Sequence, residues 1–218
     1  MAVVSRLVAV PPKVIPFPDP ARHARQLLDA AFLERPDAHS HAVQLCESEE
    51  FLFDTVGRFL AAGLKSGERL LVIAHPDRTS GFLAHLERDT HADIAHAISS
   101  GQLVCLDADA LIAQFMIAEK PDGERFHAVI GRVLGELAGD AAPAPRIRAY
   151  GEMVDLLWRA GNFTAAIAVE RLWNEAGERH SFELLCAYLM GHFYKEQQSE
   201  HIAELCDAHS YVLSHERT

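Results

Sequence analysis

Apolar and polar residues alternate along the chain with two different spacings, which predict strands that alternate with helices. Residues 41–46 and 70–74 are short, mostly apolar runs, as expected for strands that are buried on both faces of a parallel sheet. Between them, the apolar positions of 51–64 recur every three or four residues, and Ser48 precedes them as a candidate helix N-cap. A strand, a helix and a parallel strand form a right-handed crossover unit, so this stretch indicates an α/β fold.

The rest of the chain repeats the same order of elements. Helical patterns separate four further apolar runs, which are the predicted strands at 102–107, 146–150, 181–190 and 210–213. Strands that alternate with helices form a mainly parallel sheet with helices on both faces, so we predict a three-layer α/β/α fold. Thr79 or Ser80 is expected to cap the helix after the second strand, and Asp109 the helix after the third.

Residues 1–38 differ in composition from the rest and are predicted to form an N-terminal arm. Five of the ten prolines fall within 1–20, which predicts extended chain, whereas 21–33 has the pattern of a short amphipathic helix. The main domain is expected at 39–215. The first apolar stretch is short and broken by prolines, and no apolar run approaches the ~20 residues of a membrane span. We therefore expect a cytoplasmic protein without a signal peptide.

The net charge of −11 argues against function classes that need a basic surface. The chain has 20 Lys and Arg against 31 Asp and Glu, and the basic residues form no cluster. We therefore expect no direct binding to nucleic acid or to an anionic membrane. The expected partners are a small organic molecule or another protein, and self-association stays open. Four cysteines without a CxxC spacing are expected to be free thiols.

The turn after the first predicted strand disfavours nucleotide binding. A phosphate-binding loop at this place needs glycines for close backbone approach and a lysine. The turn reads Glu47-Ser48-Glu49-Glu50, with three carboxylates and neither of those residue types. The sheet is therefore predicted to carry no functional phosphate loop. Since no nucleophile motif stands out elsewhere, we predict neither an enzyme nor a cofactor.

Seven motifs in a fixed order resemble the MEDS domain, the sensory domain named after a dichloromethane-responsive regulator and its methanogen relatives. Each motif is weak alone, but their order is specific and covers about residues 39–214. The motifs are His41 at the start of the first strand, FLAAGLKSGE at 59–68 with LLVIA at 70–74, GQLVCLD at 101–107, RAYGEM at 148–153, VERLWN at 169–174, LLCAY at 184–188 and AHSYV at 208–212.

This resemblance implies a RecA-like fold. It also implies that the protein is a degenerate relative of the clock ATPases that have this fold. FLAAGLKSGERLLVIA is similar to the segment that follows the phosphate loop in those enzymes. The resemblance also implies a role in sensing small organic compounds. Family members occur fused to kinases or DNA-binding domains, which this sequence does not show, so we expect a stand-alone sensor. Its protein partner would be a histidine kinase or another regulator.

Ligands of open α/β sheets bind beyond the carboxyl ends of the strands, which makes Glu47, His75 and Glu152 candidate ligand-binding residues. Glu152 directly follows a predicted strand, and it is equally consistent with a carboxylate that only favours the start of a helix. Glu170 and Asn174 are four residues apart, so they share one helix face. They can orient a polar ligand or form a buried hydrogen-bond network that fixes the helix to the sheet.

Four further candidates lie in or beside strands that match the family pattern, namely His41, Cys186, Tyr188 and His209. They can line a ligand pocket, although buried histidines and tyrosines that only satisfy core hydrogen bonds are commoner. The sequence Cys206-x-x-His209, with His201 and His192 before it, has zinc-ligand chemistry. His201 and Cys206 are five residues apart on a predicted helix and point in different directions, so we predict no metal site.

The sequence leaves three functions open. The first is a signalling protein that senses a small ligand, binds a regulatory partner, or does both. The second is a pocketless adaptor, a former ATPase that acts only through protein contacts. The third is a residual nucleotide-binding enzyme that uses Glu152. A cavity with convergent polar groups would favour the sensor, and an exposed apolar patch over a filled interior would favour the adaptor.

Overall fold

Helices and strands alternate along the chain, as the apolar pattern predicts. The computed structural model describes residues 20–189 and 199–214, so the predicted extended part of the arm, Met190, His192 and the predicted helix start at 196 lie outside the described residues. The helices are α1 Pro20–Glu34, α2 Glu49–Lys65, α3 Pro76–Thr90, α4 Ile94–Ser99, α5 Ala108–Phe115, α6 Gly123–Ala138, α7 Met153–Arg159, α8 Phe163–Arg179 and α9 Ser199–Asp207. The strands are β1 His41–Cys46, β2 Arg69–Ala74, β3 Leu103–Asp107, β4 Met116–Ile117, β5 Lys120–Pro121, β6 Ile147–Gly151, β7 Glu183–Leu189 and β8 Tyr211–Val212.

Six strands form one sheet in the order β3-β2-β6-β7-β1-β8, and every neighbouring pair is parallel. Helices α1–α4 pack on one face of this sheet and α5–α9 on the other, each over its own apolar cluster. The predicted three-layer α/β/α fold is therefore confirmed. Strands β4 and β5 form a separate antiparallel hairpin. No described helix combines the length and the apolarity that crossing a membrane requires.

The starts of α3 and α5 differ from the prediction. Thr79 and Ser80 lie inside α3, because Pro76, whose fixed φ suits the first helical position, already begins that helix. Asp107, rather than Asp109, accepts the N-cap hydrogen bond of α5. Several cap-forming residues stand close together at both places, so residue type alone does not select the cap.

The predicted cap of α2 is confirmed and gives a test of local stability. Ser48 Oγ accepts a hydrogen bond from Phe51 N at 3.2 Å. We expect Ser48→Ala to lower the free energy of unfolding by about 1 kcal/mol, because one amide of the first turn loses its acceptor. Urea unfolding measures this loss. Ser80→Ala is the matched control, since Ser80 is exposed and its hydroxyl donates to Pro76 O within its own helix; an equal loss in both variants would contradict the assignment.

Helix α1 is anchored to the domain by the buried side chain of Arg148. The side chain is 1% exposed, and its guanidinium donates to the carbonyl oxygens of Leu33 and Phe59 at 2.8 and 2.9 Å and to that of Glu34 at 2.8 Å. Arg148 also forms an ion pair with Glu68. The last turn of a helix leaves carbonyl groups without a helical partner, and one arginine here satisfies two of them. The short helix predicted for the arm therefore packs onto the domain.

A second contact joins α1 to the edge strand β8. Asp29 accepts hydrogen bonds from the Tyr211 hydroxyl at 3.0 Å and from Ser214 N at 3.1 Å. The ring of Phe32 stacks on that of Tyr211 with centroids 4.4 Å apart. Helix α1 thus covers the end of the sheet at which β8 lies.

Candidate functional site

Six of the nine predicted site residues meet between the sheet and helix α8, in a place that we term the α8 cluster; five of them are buried and Asn174 is exposed. Two of them come from α8 itself, two from β7, one from the start of β1 and one from the segment between α9 and β8. The members of the α8 cluster are His41, Glu170, Asn174, Cys186, Tyr188 and His209.

The strand register and the helix period explain why these side chains meet. In the parallel pair of β1 and β7, His41 lies opposite Leu184 and two residues before the partner of Cys186. Because side chains alternate along a strand, His41, Cys186 and Tyr188 all point to the face that α8 covers. Glu170 lies one turn before Asn174 on α8, so both point to the same part of the sheet.

Glu170 is the centre of the α8 cluster and is fully buried. Its Oε1 accepts a hydrogen bond from the Tyr188 hydroxyl and lies 3.4 Å from His209 Nε2. Its Oε2 lies 3.2 Å from His41 Nε2 and 3.8 Å from Cys186 Sγ. His41 Nε2 and Cys186 Sγ are themselves 3.4 Å apart. One carboxylate therefore faces two imidazoles, a thiol and a phenol.

The charge state of the α8 cluster follows from burial and from these neighbours. Burial alone would raise the pKa of Glu170, but His209, His41 and the Tyr188 hydroxyl outweigh it and lower the pKa from 4.5 to about 2. Burial lowers the pKa of His209 to about 4, although Glu170 opposes this change. Burial also raises the pKa of Cys186 well above its usual range. At neutral pH the cluster therefore contains an ionised carboxylate, a neutral His209 and a neutral thiol.

Both histidine rings are held in a defined orientation. Asn174 Nδ2 donates to the carbonyl oxygen of Ala208 at 2.8 Å, so Asn174 Oδ1 is free to accept from His41 Nδ1 at 2.9 Å. His209 Nδ1 donates to a backbone carbonyl of α9 at 2.7 Å. The second nitrogen of each ring, Nε2, is thereby directed at Glu170.

A cleft of about 200 Å³ adjoins the α8 cluster at the amino ends of β1 and β7. His41 and Asn174 belong to both the cleft and the cluster. Ser40 and Trp173 also line the cleft, and the buried Ser40 Oγ and Trp173 Nε1 have no hydrogen-bond partner among the described residues. An unpaired buried polar atom costs about 1–3 kcal/mol, so this part of the fold contains two polar groups that the described contacts leave unsatisfied. Gly177 of α8 leaves open space in the wall of the cleft.

The other three predicted residues lie at the carboxyl ends of the strands, away from the α8 cluster. Glu47 is exposed, and His75 is partly exposed at the start of α3. Glu152 is fully buried and accepts a hydrogen bond from His75 N at 2.9 Å. It also forms an ion pair with Arg78, and Arg159 Nη2 lies 3.6 Å from its Oε1. Glu152 stands at the N-cap of α7 but makes no side-chain capping hydrogen bond. Its carboxylate instead joins α3 and α7 to the sheet, a role that differs from both alternatives drawn from the sequence.

Two residues of the site were missed by the sequence argument. Ser40 precedes β1 in a polar stretch, and no pattern marks it as part of a cleft wall. Arg78 lies in a predicted helix without a marked partner, although a buried carboxylate such as Glu152 requires a cation nearby. In the second case, pairing each buried acid with a basic residue of a neighbouring helix would have identified the contact.

A comparison with protein families shows which family the chain belongs to. The sequence model of the MEthanogen/methylotroph, DcmR Sensory domain, MEDS, matches residues 40–209. The chain belongs to the MEDS family. The matched range contains all nine predicted site residues of this MEDS domain, so the α8 cluster and the cleft both lie within the family's domain. A comparison with curated proteins gives no match.

Proposed function

We propose that this MEDS protein is a cytoplasmic, non-catalytic sensor that binds a small organic ligand in the cleft beside the α8 cluster. The ligand's presence would change the affinity for a signalling protein such as a histidine kinase or regulator. The observation that carries the proposal is the cleft itself, in which polar and apolar residues lie together and which shares His41 and Asn174 with the α8 cluster. Membership of a sensory family supports it.

The size and chemistry of the cleft limit the ligand class. A volume of about 200 Å³ corresponds to roughly six or seven water molecules at the ~30 Å³ that each occupies in the liquid. The apolar part of the wall comes from Trp173, Phe182 and Leu184. The polar part comes from His39, Ser40, His41, Asn174 and Glu178. This mixed wall suits a small organic molecule that has both an apolar part and a polar group.

Ligand binding has a direct route to the rest of the domain. His41 N donates to Ser210 Oγ at 2.9 Å, and Ser210 Oγ donates to the His41 carbonyl at 3.0 Å. Asn174 bonds to both His41 and Ala208. A ligand that contacts His41 or Asn174 therefore acts on the segment that leads into β8. By linkage, a partner whose affinity depends on the ligand must change the ligand's affinity by the same factor.

We expect Gly177→Leu to abolish ligand binding, because the new side chain would occupy open space in the cleft wall. The backbone tolerates this change, since Gly177 lies within α8 and leucine favours helix by about 1 kcal/mol over glycine. The matched control is Gly135→Leu, which places the same side chain in open, exposed space on α6. Native mass spectrometry of each protein, purified from its own host under gentle and then denaturing conditions, measures the bound mass.

A small-molecule mass in the wild type and in Gly135→Leu, absent from Gly177→Leu, is the expected result. An equal bound mass in all three proteins would place the ligand elsewhere. A wild type that carries no small molecule but co-purifies with a protein would favour the adaptor. One observation supports that second candidate: Leu27 and Leu28 of α1 are 58% and 60% exposed, side by side.

A further inference from the structure

We infer that His41, Glu170, Cys186 and His209 bind one divalent transition-metal ion, for which Zn²⁺ is the best chemical match. This inference goes beyond the proposed function, because the metal requires neither a ligand in the cleft nor a signalling partner. It also replaces the sequence argument on zinc, which considered Cys206 with His201 and His209. The four residues assigned here come from four separate segments of the chain.

Three of the four donor atoms are spaced as in a tetrahedral site, and the fourth, His209 Nε2, lies beside the second oxygen of Glu170. All four ligand atoms lie within 4.8 Å of one another. Zinc bonds of about 2.0–2.3 Å place neighbouring ligand atoms of a tetrahedron about 3.3–3.8 Å apart. The observed separations are 3.2 Å for His41 Nε2 to Glu170 Oε2, 3.4 Å for His41 Nε2 to Cys186 Sγ and 3.8 Å for Cys186 Sγ to Glu170 Oε2. His209 Nε2 is 3.4 Å from Glu170 Oε1. Small side-chain adjustments around an ion complete the tetrahedron.

Glu170 is a buried carboxylate that faces two ring nitrogens. The Nε2 atoms of His41 and His209 lie 3.2 and 3.4 Å from its oxygens, so one cation could contact all three groups. Among the residues described by the structure, neither Lys nor Arg pairs with Glu170, which is fully buried. Buried charges in proteins are paired or coordinate a metal. His209 Nε2 is buried and makes no hydrogen bond among the described residues.

The groups behind the four residues resemble the outer shell of known metal sites. Ligating histidines usually donate their second ring N–H to a carbonyl or carboxylate, which fixes the orientation of the ring. Asn174 Oδ1 accepts from His41, and a backbone carbonyl of α9 accepts from His209. Ligating carboxylates are in turn hydrogen-bonded, and the Tyr188 hydroxyl donates to Glu170.

The binding step is balanced without an oxidant or reductant. Zn²⁺ enters with two positive charges, and the Cys186 thiol releases its proton to solvent as the zinc–sulfur bond forms. The thiolate and the ionised Glu170 then neutralise the ion, so the filled site carries no net charge in the interior. A mixture of imidazole, thiolate and carboxylate donors suits zinc and its neighbours rather than magnesium or calcium. Four protein ligands form a closed site of the structural kind.

The metal would join the C-terminal segment to the sheet. His209 lies between α9 and β8, whereas His41 begins β1 and Cys186 lies in β7. Since His41 also lines the cleft, the ion would fix one wall of the proposed ligand site. Metal loading and ligand binding are thus neighbouring but separate events.

Cobalt substitution tests the inference on the full chain. The purified protein is stripped of metal under reducing conditions and titrated with Co²⁺, with absorption as the readout. We expect about one Co²⁺ per chain, d–d bands of tetrahedral intensity and a thiolate-to-cobalt charge-transfer band, and Zn²⁺ should displace the cobalt. A wild-type spectrum without the thiolate band, or no binding at all, would overturn the inference without requiring any variant to fold.

Three variants assign the ligands. Cys186→Ser should lose the thiolate band, whereas Cys206→Ser should keep both the band and the affinity. Asn174→Ala, which removes the acceptor behind His41, should weaken Co²⁺ binding about 10–100-fold. Gly177→Leu should bind Co²⁺ like the wild type, which separates the metal from the cleft ligand. A thiolate band that disappears in Cys206→Ser and persists in Cys186→Ser would show that Cys206 is the ligand, and it would reject the proposed site.

Discussion

Arg148→Met is expected to lower the free energy of unfolding by about 3–5 kcal/mol, the range for breaking a buried ion pair by removing one partner. The substitution keeps most of the side-chain volume but leaves the Glu68 carboxylate without its main cation. It also removes the donor to the carbonyl oxygens of Leu33 and Glu34 at the end of α1. Arg146 Nη1, 3.8 Å from Glu68, compensates poorly because that side chain is 40% exposed and already pairs with Glu183.

Urea unfolding and hydrogen exchange together measure this effect. In Arg148→Met the amides of α1 should exchange first, since the helix loses its anchor, and global stability should fall with it. Arg58→Met is the matched control, because Arg58 is exposed on α2 and such surface changes stay within about 0.5 kcal/mol. If Arg148→Met kept both the stability and the protection of α1, the buried pair would have to be offset by other contacts.

Glu152→Gln is expected to destabilise the fold by about 3 kcal/mol and to leave ligand binding unchanged. The lower end of the range for a broken buried pair applies, because Asp155 Oδ2 stays 3.3 Å from both Arg78 Nη1 and Arg159 Nε. The amide has no charge to match the two arginines. In the wild type, Glu152 accepts a hydrogen bond from His75 N at 2.9 Å. The NH₂ group of the new glutamine can face this N–H, which places two donors against each other.

Thermal unfolding and the bound mass in native mass spectrometry measure the two parts of this prediction separately. Glu50→Gln, in the exposed first turn of α2, is the matched control for removing one carboxylate charge. A stable Glu152→Gln protein that had lost its small molecule would return the ligand site to the carboxyl ends of the strands.

The fold could be predicted from the sequence because its signals are local. The continuous apolar runs of β1 and β2 and the helical spacing of α2 each occupy less than 20 residues, and together they specify a parallel unit. Helix starts were less predictable where cap-forming residues stand close together, as around Asp107 and Asp109. The strand order was not predictable in this way, since it depends on packing between distant segments.

For the candidate site, the sequence indicates which residues share one helix face or one strand face, but not how these faces meet. The four-residue spacing of Glu170 and Asn174 shows that they share a helix face, and alternation shows that Cys186 and Tyr188 share a strand face. Neither pattern reveals that His41, more than 100 residues earlier, lies beside them, because the register of β1 against β7 is a tertiary property. The rule that ligands bind at the carboxyl ends of strands directed attention to Glu152, whose partners come from α3 and α7.

The position of β1 has a consequence for how the chain folds. β1 ends at Cys46, whereas its neighbours, β7 and β8, begin only at Glu183 and Tyr211. On the ribosome, this strand therefore leaves the exit tunnel long before either neighbour exists, with its backbone donors and acceptors unsatisfied. Contacts between such distant segments slow folding and prolong the exposure of strand edges. The two-sided pairing of β1 therefore makes completion of the sheet a late event, delayed until β7 and β8 have been synthesised.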